Sequence, residues 1–435
     1  MLYPQDAQLR EAERLKEKLI ALLSDDLDFH NRSSSEYTHD LHAFPAKFPP
    51  QLPRKFIEAL TMPGDHVLDP MAGSGTTPLE AFVAGRQPVI VDIDPLALHV
   101  CRVKTTPLPL IEAAEAGSRV ISRVKTRLFD AADDIPTMLL DTRTQEFVDY
   151  WFDRESQREL IFLLDEIRQV RDDRIRAFLA LTLSAIIITK SGGVSLAFDL
   201  AHTRPHKVAD KRYRSPVKEF EKRFQRNLRS LADLPANGLA PIISMGNAQA
   251  LSLRDSTIDL VVTSPPYPSN AIDYMRAHKF SLVWLGYKLD SLSELRKAYI
   301  GSEAVNGVEF EPLPDQTRQV IAAVAALDHK KGRAVERYYS EMTRVLREMF
   351  RVLKSGKAAV MVVGSSRLRG DKNVHGCLAE IGQSLGFEVP HIGVRRIDRN
   401  RRMMPARRQT DADSQIEKRM HEEYVIGFFK PVEGQ

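Results

Sequence analysis

The sequence predicts an α/β protein: an open, mostly parallel sheet with helices on both faces and a helical block inserted between its two halves. Three observations lead there. Residues 66–94 read as strand, glycine-rich turn, helix, strand and acid. Residues from about 109 to 235 carry helical patterning only. From residue 241 strands and helices alternate again to the end.

With 435 residues, 43% of them hydrophobic, the chain can bury a large core and is expected to form two or three units, or one domain with large insertions. No apolar run approaches the roughly 18 residues of a membrane span. The polar segment Met1–Lys18 does not resemble a signal peptide, so the cytoplasm is the expected compartment. Cys101 and Cys377 are too few and too far apart for a disulfide framework or a zinc site, and no metal is expected. The net charge of +4 is mild; how the cations cluster matters more.

Leu9, Ala12, Leu15, Leu19, Leu22 and Leu23 recur at helical spacing, so one amphipathic helix is expected from residue 1 to about 30. Tyr37–Pro50 has aromatics, histidines and prolines without a period: a loop, yet too apolar to be merely solvated. A helix follows over Pro53–Leu60. After the Pro63-Gly64-Asp65 turn comes the strand His66–Asp69. Gly73 and Gly75 then let the backbone approach a ligand, and a helix over Pro78–Ala84 leaves N–H groups free at its start. No Gly-Lys-Ser/Thr is present there, which excludes a phosphate-gripping P-loop. A second strand, Pro88–Asp94, carries Asp92 about 20 residues after the glycine turn, where an acid accepts hydrogen bonds from ribose hydroxyls.

In the helical block, helices are expected over Phe147–Val170 and Ile175–Thr189. The block ends in a basic stretch from His202 through Lys207, Lys211, Arg212, Arg214, Lys218, Lys222, Arg223 and Arg226 to Arg229, which is either a solvated helix face or a polyanion contact. A strand from Pro241 ends in Gly246-Asn247. The next strand, Ile258–Val262, runs into Thr263-Ser264-Pro265-Pro266-Tyr267. A helical run with His278 and Trp284 follows, and residues 289–333 are expected as a mobile insertion. The remainder reads as helix Tyr338–Leu353, strand Ala358–Gly364, helix Val374–Leu385, strand Phe387–Val394 and strand Glu422–Lys430.

The corner at Ser264 is the most informative stretch. Each proline fixes φ and lacks an N–H, and the residue before each is pushed towards extended geometry. The carbonyls of Ser264 and Pro265 can therefore face a ligand, with Tyr267 offering a flat ring. Such a corner suits a flat heterocycle bearing an exocyclic amine; a plain proline-rich turn is the alternative. If the strand from Phe387 is parallel to its neighbours and the last strand antiparallel, the connection between them opens at the same sheet edge. It carries Arg395, Arg396, Arg399, Arg401, Arg402, Arg407 and Arg408, useful beside a phosphodiester backbone; a basic surface loop without a partner is the alternative.

Asp69-Pro70-Met71-Ala72-Gly73-Ser74-Gly75-Thr76-Thr77 and Thr263-Ser264-Pro265-Pro266-Tyr267 together resemble the cofactor and catalytic motifs of S-adenosylmethionine-dependent DNA amino-methyltransferases. The Ser-Pro-Pro-Tyr form is similar to that of the cytosine-N4 enzymes; adenine-N6 enzymes more often begin the motif with Asp or Asn. Phe44-Pro45-Ala46-Lys47-Phe48-Pro49 resembles the family segment that lines the methionine end of the cofactor. The resemblance covers residues 38–106 and 240–430. It implies a Rossmann-like class I methyltransferase sheet, mostly parallel with one antiparallel strand. It also implies cofactor contacts from Lys47, Phe48, Asp69, Pro70, Ala72, Gly73, Ser74, Gly75, Thr76, Thr77, Asp92 and Asn247, with catalysis by Ser264, Pro265, Pro266 and Tyr267. Asn247 stands where the family often has Asp against the adenine amine, and Met71 replaces a common Phe or Cys.

The expected division is an N-terminal helix (1–35), a cofactor-binding half (36–108), a helical insertion that reads the target (109–238) and a catalytic half (239–435). The cofactor motif comes first, as in the class with target recognition in the middle; residues 289–333 compete for that role. The implied substrate is double-stranded DNA, with a cognate restriction endonuclease as partner and a monomer or homodimer as the assembly. Adenine-N6 or RNA base methylation, protein-glutamine methylation and a catalytically silent nucleic-acid-binding module are the competing readings.

Overall fold

A computed structural model describes residues 4–30, 32–130, 141–189, 192–198, 200, 205–208, 210–236, 238–268, 273–301, 310–364, 373–397 and 422–432. In chain order the elements begin with α1 (Pro4–Ser24), α2 (Gln51–Leu60), β1 (His66–Asp69), α3 (Thr76–Val83), β2 (Gln87–Asp92) and α4 (Pro95–Lys104). Five helices follow, α5 (Leu110–Asp130), α6 (Thr142–Trp151), α7 (Arg154–Arg168), α8 (Asp173–Ile187) and α9 (Pro216–Ala232), with β3 (Ala197–Phe198) and β4 (His206–Lys207) between the last two. The chain continues through β5 (Ile242–Met245), β6 (Ile258–Thr263), α10 (Met275–Leu282), α11 (Leu289–Lys297), α12 (Asp315–Leu327) and α13 (His329–Val352). It ends with β7 (Leu353–Gly364), α14 (Val374–Ser384), β8 (Ile392–Arg396) and β9 (Glu422–Phe429).

Among the described residues, seven strands form one sheet in the order β5-β2-β1-β6-β7-β9-β8. All neighbours are parallel except the pairs that β9 makes with β7 and β8. This is the expected Rossmann-like methyltransferase sheet with its single reversed strand. The central strands are buried on both faces, so they read as continuous apolar runs. In β7, Ala358, Val360 and Val362 join the cluster under α1 and α2, while Ala359, Met361 and Val363 face α13 and α14.

α5 to α9 share a third core with Leu96, Val100 and Val103 of α4 and Phe280 of α10. Phe280 meets Trp151 edge-on with ring centroids 4.9 Å apart. The helices therefore grip the elements that follow both motifs. The two-residue strands β3 and β4 pair antiparallel above them.

Several boundaries differ from expectation for identifiable reasons. The helix expected over Phe147–Val170 is two helices, because Asp153 caps α7 by accepting from the Ser156 N–H at 2.8 Å. Residues 289–333 were expected as a mobile insertion, but the described part forms α11, α12 and the start of α13. Glu380 holds the first turn of α12 through the Thr317 N–H at 2.8 Å and hydroxyl at 2.7 Å. The strand expected from Phe387 begins at Ile392, since Pro390 has no N–H to offer; before it only Glu388 bridges to Phe429. No helix among the described residues is long and apolar enough to cross a membrane.

Candidate active site

The strand order brings the two motifs side by side. β1 ends in Asp69 and its neighbour β6 ends in Thr263, whose hydroxyl donates to Asp69 Oδ1 at 2.7 Å. This bond joins residues 194 positions apart in the chain. Asp69 also accepts from the Met71 N–H at 3.2 Å. Burial outweighs these donors and pushes its carboxyl up to about 7.

The turn after β1 is built from the backbone. Gly73 and Gly75 both hold left-handed φ, +48° and +73°. Gly75 N–H donates to Ala72 O at 2.8 Å, and Ala72 N–H to Val91 O at 3.2 Å. Ser74 Oγ and Thr76 Oγ1 lie 3.0 Å apart at the start of α3. Pro70 and Thr77 are buried beside them. Lys104, buried, donates from Nζ to Ser74 O at 2.7 Å; burial brings its ammonium down to about 7.

Asp92 closes the turn from the next strand. Its Oδ2 accepts from Gly73 N–H at 2.8 Å and its Oδ1 from Asp94 N–H at 2.8 Å. Burial, reinforced by the Asp94 charge, raises the Asp92 carboxyl to about 6. Each oxygen has accepted one proton and keeps a second lone pair. Beside it Asn247, just past β5, accepts from Gln249 N–H through Oδ1 at 3.0 Å. The bare Gly73, the acid and the neighbouring carboxamide fit a nucleoside with a cis-diol, the group that S-adenosylmethionine carries.

The loop from Tyr37 to Pro50 folds against this turn. Phe44 is the ring against Gly73: a Cβ there would stand 3.5 Å from it. The Phe44 ring also lies 5.0 Å from Tyr274 and 5.2 Å from His278, centroid to centroid. Phe48 packs instead into the cluster under α1 and α2, and the Lys47 ammonium donates to His39 O at 3.0 Å. His39 Nε2 bonds Glu80 Oε1 at 2.7 Å inside the protein, and burial brings the imidazole down to about 4, so it stays neutral at pH 7.

The corner Ser264–Tyr267 sits beyond β6, with Pro265 buried and Ser264, Pro266 and Tyr267 half-buried. The Tyr267 hydroxyl donates to Glu423 Oε1 at 3.0 Å. The arginine-rich stretch divides. Arg396 projects outward from the end of β8. Arg395 was expected at a DNA surface, but it is 5% exposed and its guanidinium is committed to Glu423 Oε2 at 2.5 Å. It faces the sheet's interior because side chains alternate along β8. Arg399, Arg401, Arg402, Arg407 and Arg408 lie outside the described residues.

Asp94, His278, Tyr299 and Glu423 were given no site role from sequence. Asp94 caps α4 through the Leu96 N–H at 2.8 Å, and its Oδ2 accepts from His278 Nδ1 at 2.5 Å and the Tyr299 hydroxyl at 2.8 Å. Burial alone would raise the Asp94 carboxyl, but His278 and these donors hold it below the usual range. It thereby ties the cofactor motif's half to α10. The Asp94-Pro95 pair carries a legible capping signal; nothing in the chain marks His278 as the partner of Asp94, or Glu423 as that of Tyr267. No group of three or more metal-ligating side chains occurs among the described residues.

Residues 4–101 match the model of the N6/N4 DNA methylase family. The chain is 26% identical over 385 residues to the type II methyltransferase M.MvaI of Kocuria varians, spanning 82% of this chain and 84% of that protein. It is 22% identical over 445 residues to the type II methyltransferase M.BsoBI of Geobacillus stearothermophilus, spanning 87% and 86%. A solved TehB-like SAM-dependent methyltransferase of Corynebacterium glutamicum covers 87% of this chain, and the chain covers 86% of it, with 10% identity and a TM-score of 0.30. At that score the fold rests on the strand order and not on this neighbour.

Proposed function

We propose that the chain is an S-adenosylmethionine-dependent DNA methylase of the N6/N4 type and that it methylates the exocyclic N4 amine of a cytosine flipped out of double-stranded DNA. Modification at a specific site, alongside a cognate restriction endonuclease, is the setting that the type II names of its relatives favour. The observation that carries the reading is the juxtaposition of Ser264–Tyr267 with the glycine-rich turn through the Thr263–Asp69 bond at 2.7 Å. Serine at the first corner position favours cytosine over adenine.

S-adenosylmethionine supplies an electrophilic methyl group on a sulfonium. Gly73, Ser74 and Gly75 would admit it closely, Asp92 would accept from its ribose hydroxyls, and Asn247 would border its adenine. Lys47 and Phe48 support the loop whose Phe44 ring covers Gly73. At the corner, Ser264 Oγ and the Pro265 carbonyl would accept hydrogen bonds from the two amine N–H groups. Their pull turns the nitrogen lone pair out of the ring's conjugation and fixes its direction. The N–C bond forms as the S–C bond breaks, releasing S-adenosylhomocysteine, and the surplus amine proton leaves to solvent. Pro266 rigidifies the corner, and Tyr267 stacks on the extruded base. The rate comes from positioning and from acceptors already in place. Ring-carbon methylation would need a cysteine nucleophile, and both cysteines are buried in helices, Cys101 in α4 and Cys377 in α14. Arg396, with the arginines beyond it, contacts the DNA backbone, and the block of α5 to α9 reads the sequence.

Incubation with methyl-labelled S-adenosylmethionine and unmethylated duplex DNA, followed by nucleoside analysis, tests this. N4-methylcytosine is the expected labelled product. Label found only in N6-methyladenine rejects the choice of base, and tight DNA binding with no label rejects catalysis.

A further inference from the structure

Glu423 and Arg395 occupy places that a sheet end rarely gives to charges. They are direct cross-strand partners on β9 and β8, at the edge where the candidate active site lies. Both are buried, at 9% and 5% exposure, and Arg395 donates to Glu423 Oε2 at 2.5 Å. The other carboxylate oxygen is spent on the Tyr267 hydroxyl at 3.0 Å. Tyr267 thus reaches from the end of β6, past the end of β7, to the start of β9. Ser264 stands three residues before Tyr267 in the same corner.

The hydrogen-bond inventory fixes the direction of this chain. A carboxylate paired with arginine accepts only, and arginine donates only. The Tyr267 proton must then point at Glu423. Its oxygen is left as an acceptor, open to a proton from the Ser264 hydroxyl. A serine that donates there keeps its own lone pairs for the target amine.

We propose that Glu423, held by Arg395, is a positioning residue for methyl transfer: through Tyr267 it presets Ser264 as a pure acceptor for the target amine and pins the tyrosine ring for stacking. The inference rests on the proposed roles of Ser264 and Tyr267 and extends them to two residues on the far strands. Burial of the phenol and the nearby Glu423 charge raise the Tyr267 hydroxyl well above its ordinary range, so it remains a donor throughout the working pH. Glu423 and Arg395 also flank the connection from β8 to β9, so the same pair anchors both of its ends.

The test compares single-turnover methyl transfer to unmethylated plasmid DNA with S-adenosylhomocysteine binding, the latter counting folded sites. Glu423→Gln brings an amide that can donate to the phenol and reverse the chain. It is expected to lower the transfer rate about 10- to 100-fold while the S-adenosylhomocysteine Kd moves less than about two-fold. Tyr267→Phe should lose a similar factor, and the double variant no more than the worse single, because both act through one hydrogen bond. Arg395→Leu with Glu423→Met removes both buried charges and keeps the fold if the pair is only structural; the rate should still fall at least about 10-fold. Wild-type rates in that double variant, or multiplicative losses in the Tyr267/Glu423 cycle, overturn the inference. Wild-type transfer by Ser264→Ala and Tyr267→Ala overturns instead the parent assignment of the corner.

Discussion

Gly75→Ala offers a quantitative test of how tightly the cofactor turn is built, because Gly85 provides an internal control. The two glycines share almost the same left-handed backbone, φ +73° and +71°. Each substitution therefore carries the same local cost of about 1–2 kcal/mol for a Cβ in that region. They differ in surroundings. Nothing lies within 4 Å of a Cβ at Gly85, whereas at Gly75 it would stand 2.9 Å from Cys101 Sγ and 3.4 Å from Cys101 Cα. The Cys101 side chain is short and buried in α4, so the helix itself must shift. Overpacking of that kind adds about 1–3 kcal/mol. Urea unfolding should give a loss of about 1–2 kcal/mol for Gly85→Ala and about 2–5 kcal/mol for Gly75→Ala. The S-adenosylhomocysteine affinity should fall only in the second. Cys101→Ala placed on Gly75→Ala removes the sulfur and should recover part of the difference. Equal losses at the two glycines, or no recovery in the double variant, would refute the close packing of α4 against the turn.

Four further outcomes follow from the structure. Ser264→Ala and Tyr267→Ala should each lose roughly 100-fold or more in methyl transfer while S-adenosylhomocysteine binding, read by calorimetry, is retained; turnover near wild type in both contradicts the site. The Asp92 carboxyl, raised to about 6, must be ionised to accept two ribose hydroxyls, so S-adenosylhomocysteine affinity should weaken as pH falls below 6 with a slope near one, and Asp92→Asn should flatten that slope. Stability of the ligand-free protein should run the other way. Asp69 and Asp92 hold protons that the unfolded chain releases near pH 4, so their contribution is full below pH 4 and is lost as pH rises through 6 to 7; a denaturation midpoint rising over that window would contradict the burial of both acids. Arg395→Ala strands a buried Glu423 and should cost about 3–5 kcal/mol in urea unfolding, whereas Arg396→Ala should leave stability unchanged and reduce the slope of log K against log salt for DNA binding by about one.

The parts that were legible in the sequence were those whose cause is local. A left-handed turn needs glycine, so Gly73 and Gly75 announced it. A proline pair stops a strand wherever it occurs, so the corner at Ser264 was visible, and apolar runs gave away the buried strands. The direction of β9 followed from topology, and with it the edge at which the connection from β8 opens. What stayed hidden depends on distant partners. Arg395 and Arg396 are consecutive and identical in type, yet one is buried against Glu423 and the other projects outward; only the pleat, set by strand register, separates them. Phe44 and Phe48 are four residues apart in one loop, and which ring meets Gly73 is decided by where α2 begins. The helices within 289–333 were missed because the first turn of α12 is held from outside, by Glu380 on α14.

The position of the inserted helices follows from the same sheet order. The chain leaves the sheet after β2 and α4 and returns at β5, which is an edge strand beside β2. An insertion at an edge disturbs no central ladder, so its length is nearly unconstrained by the fold. At the opposite edge, β8 is the last strand and pairs only with β9. Between these edges lie β1 and β6, whose ends carry the two motifs and whose spacing is fixed by hydrogen bonds. The two motifs therefore sit at the rigid centre of the sheet, away from both edges. The helical block is not a loose appendage there, because α10 anchors it twice, to Asp94 through His278 and to Trp151 through Phe280. Asp94 lies only two residues from Asp92, so the same contacts tie α10 to the strand end that carries the acid.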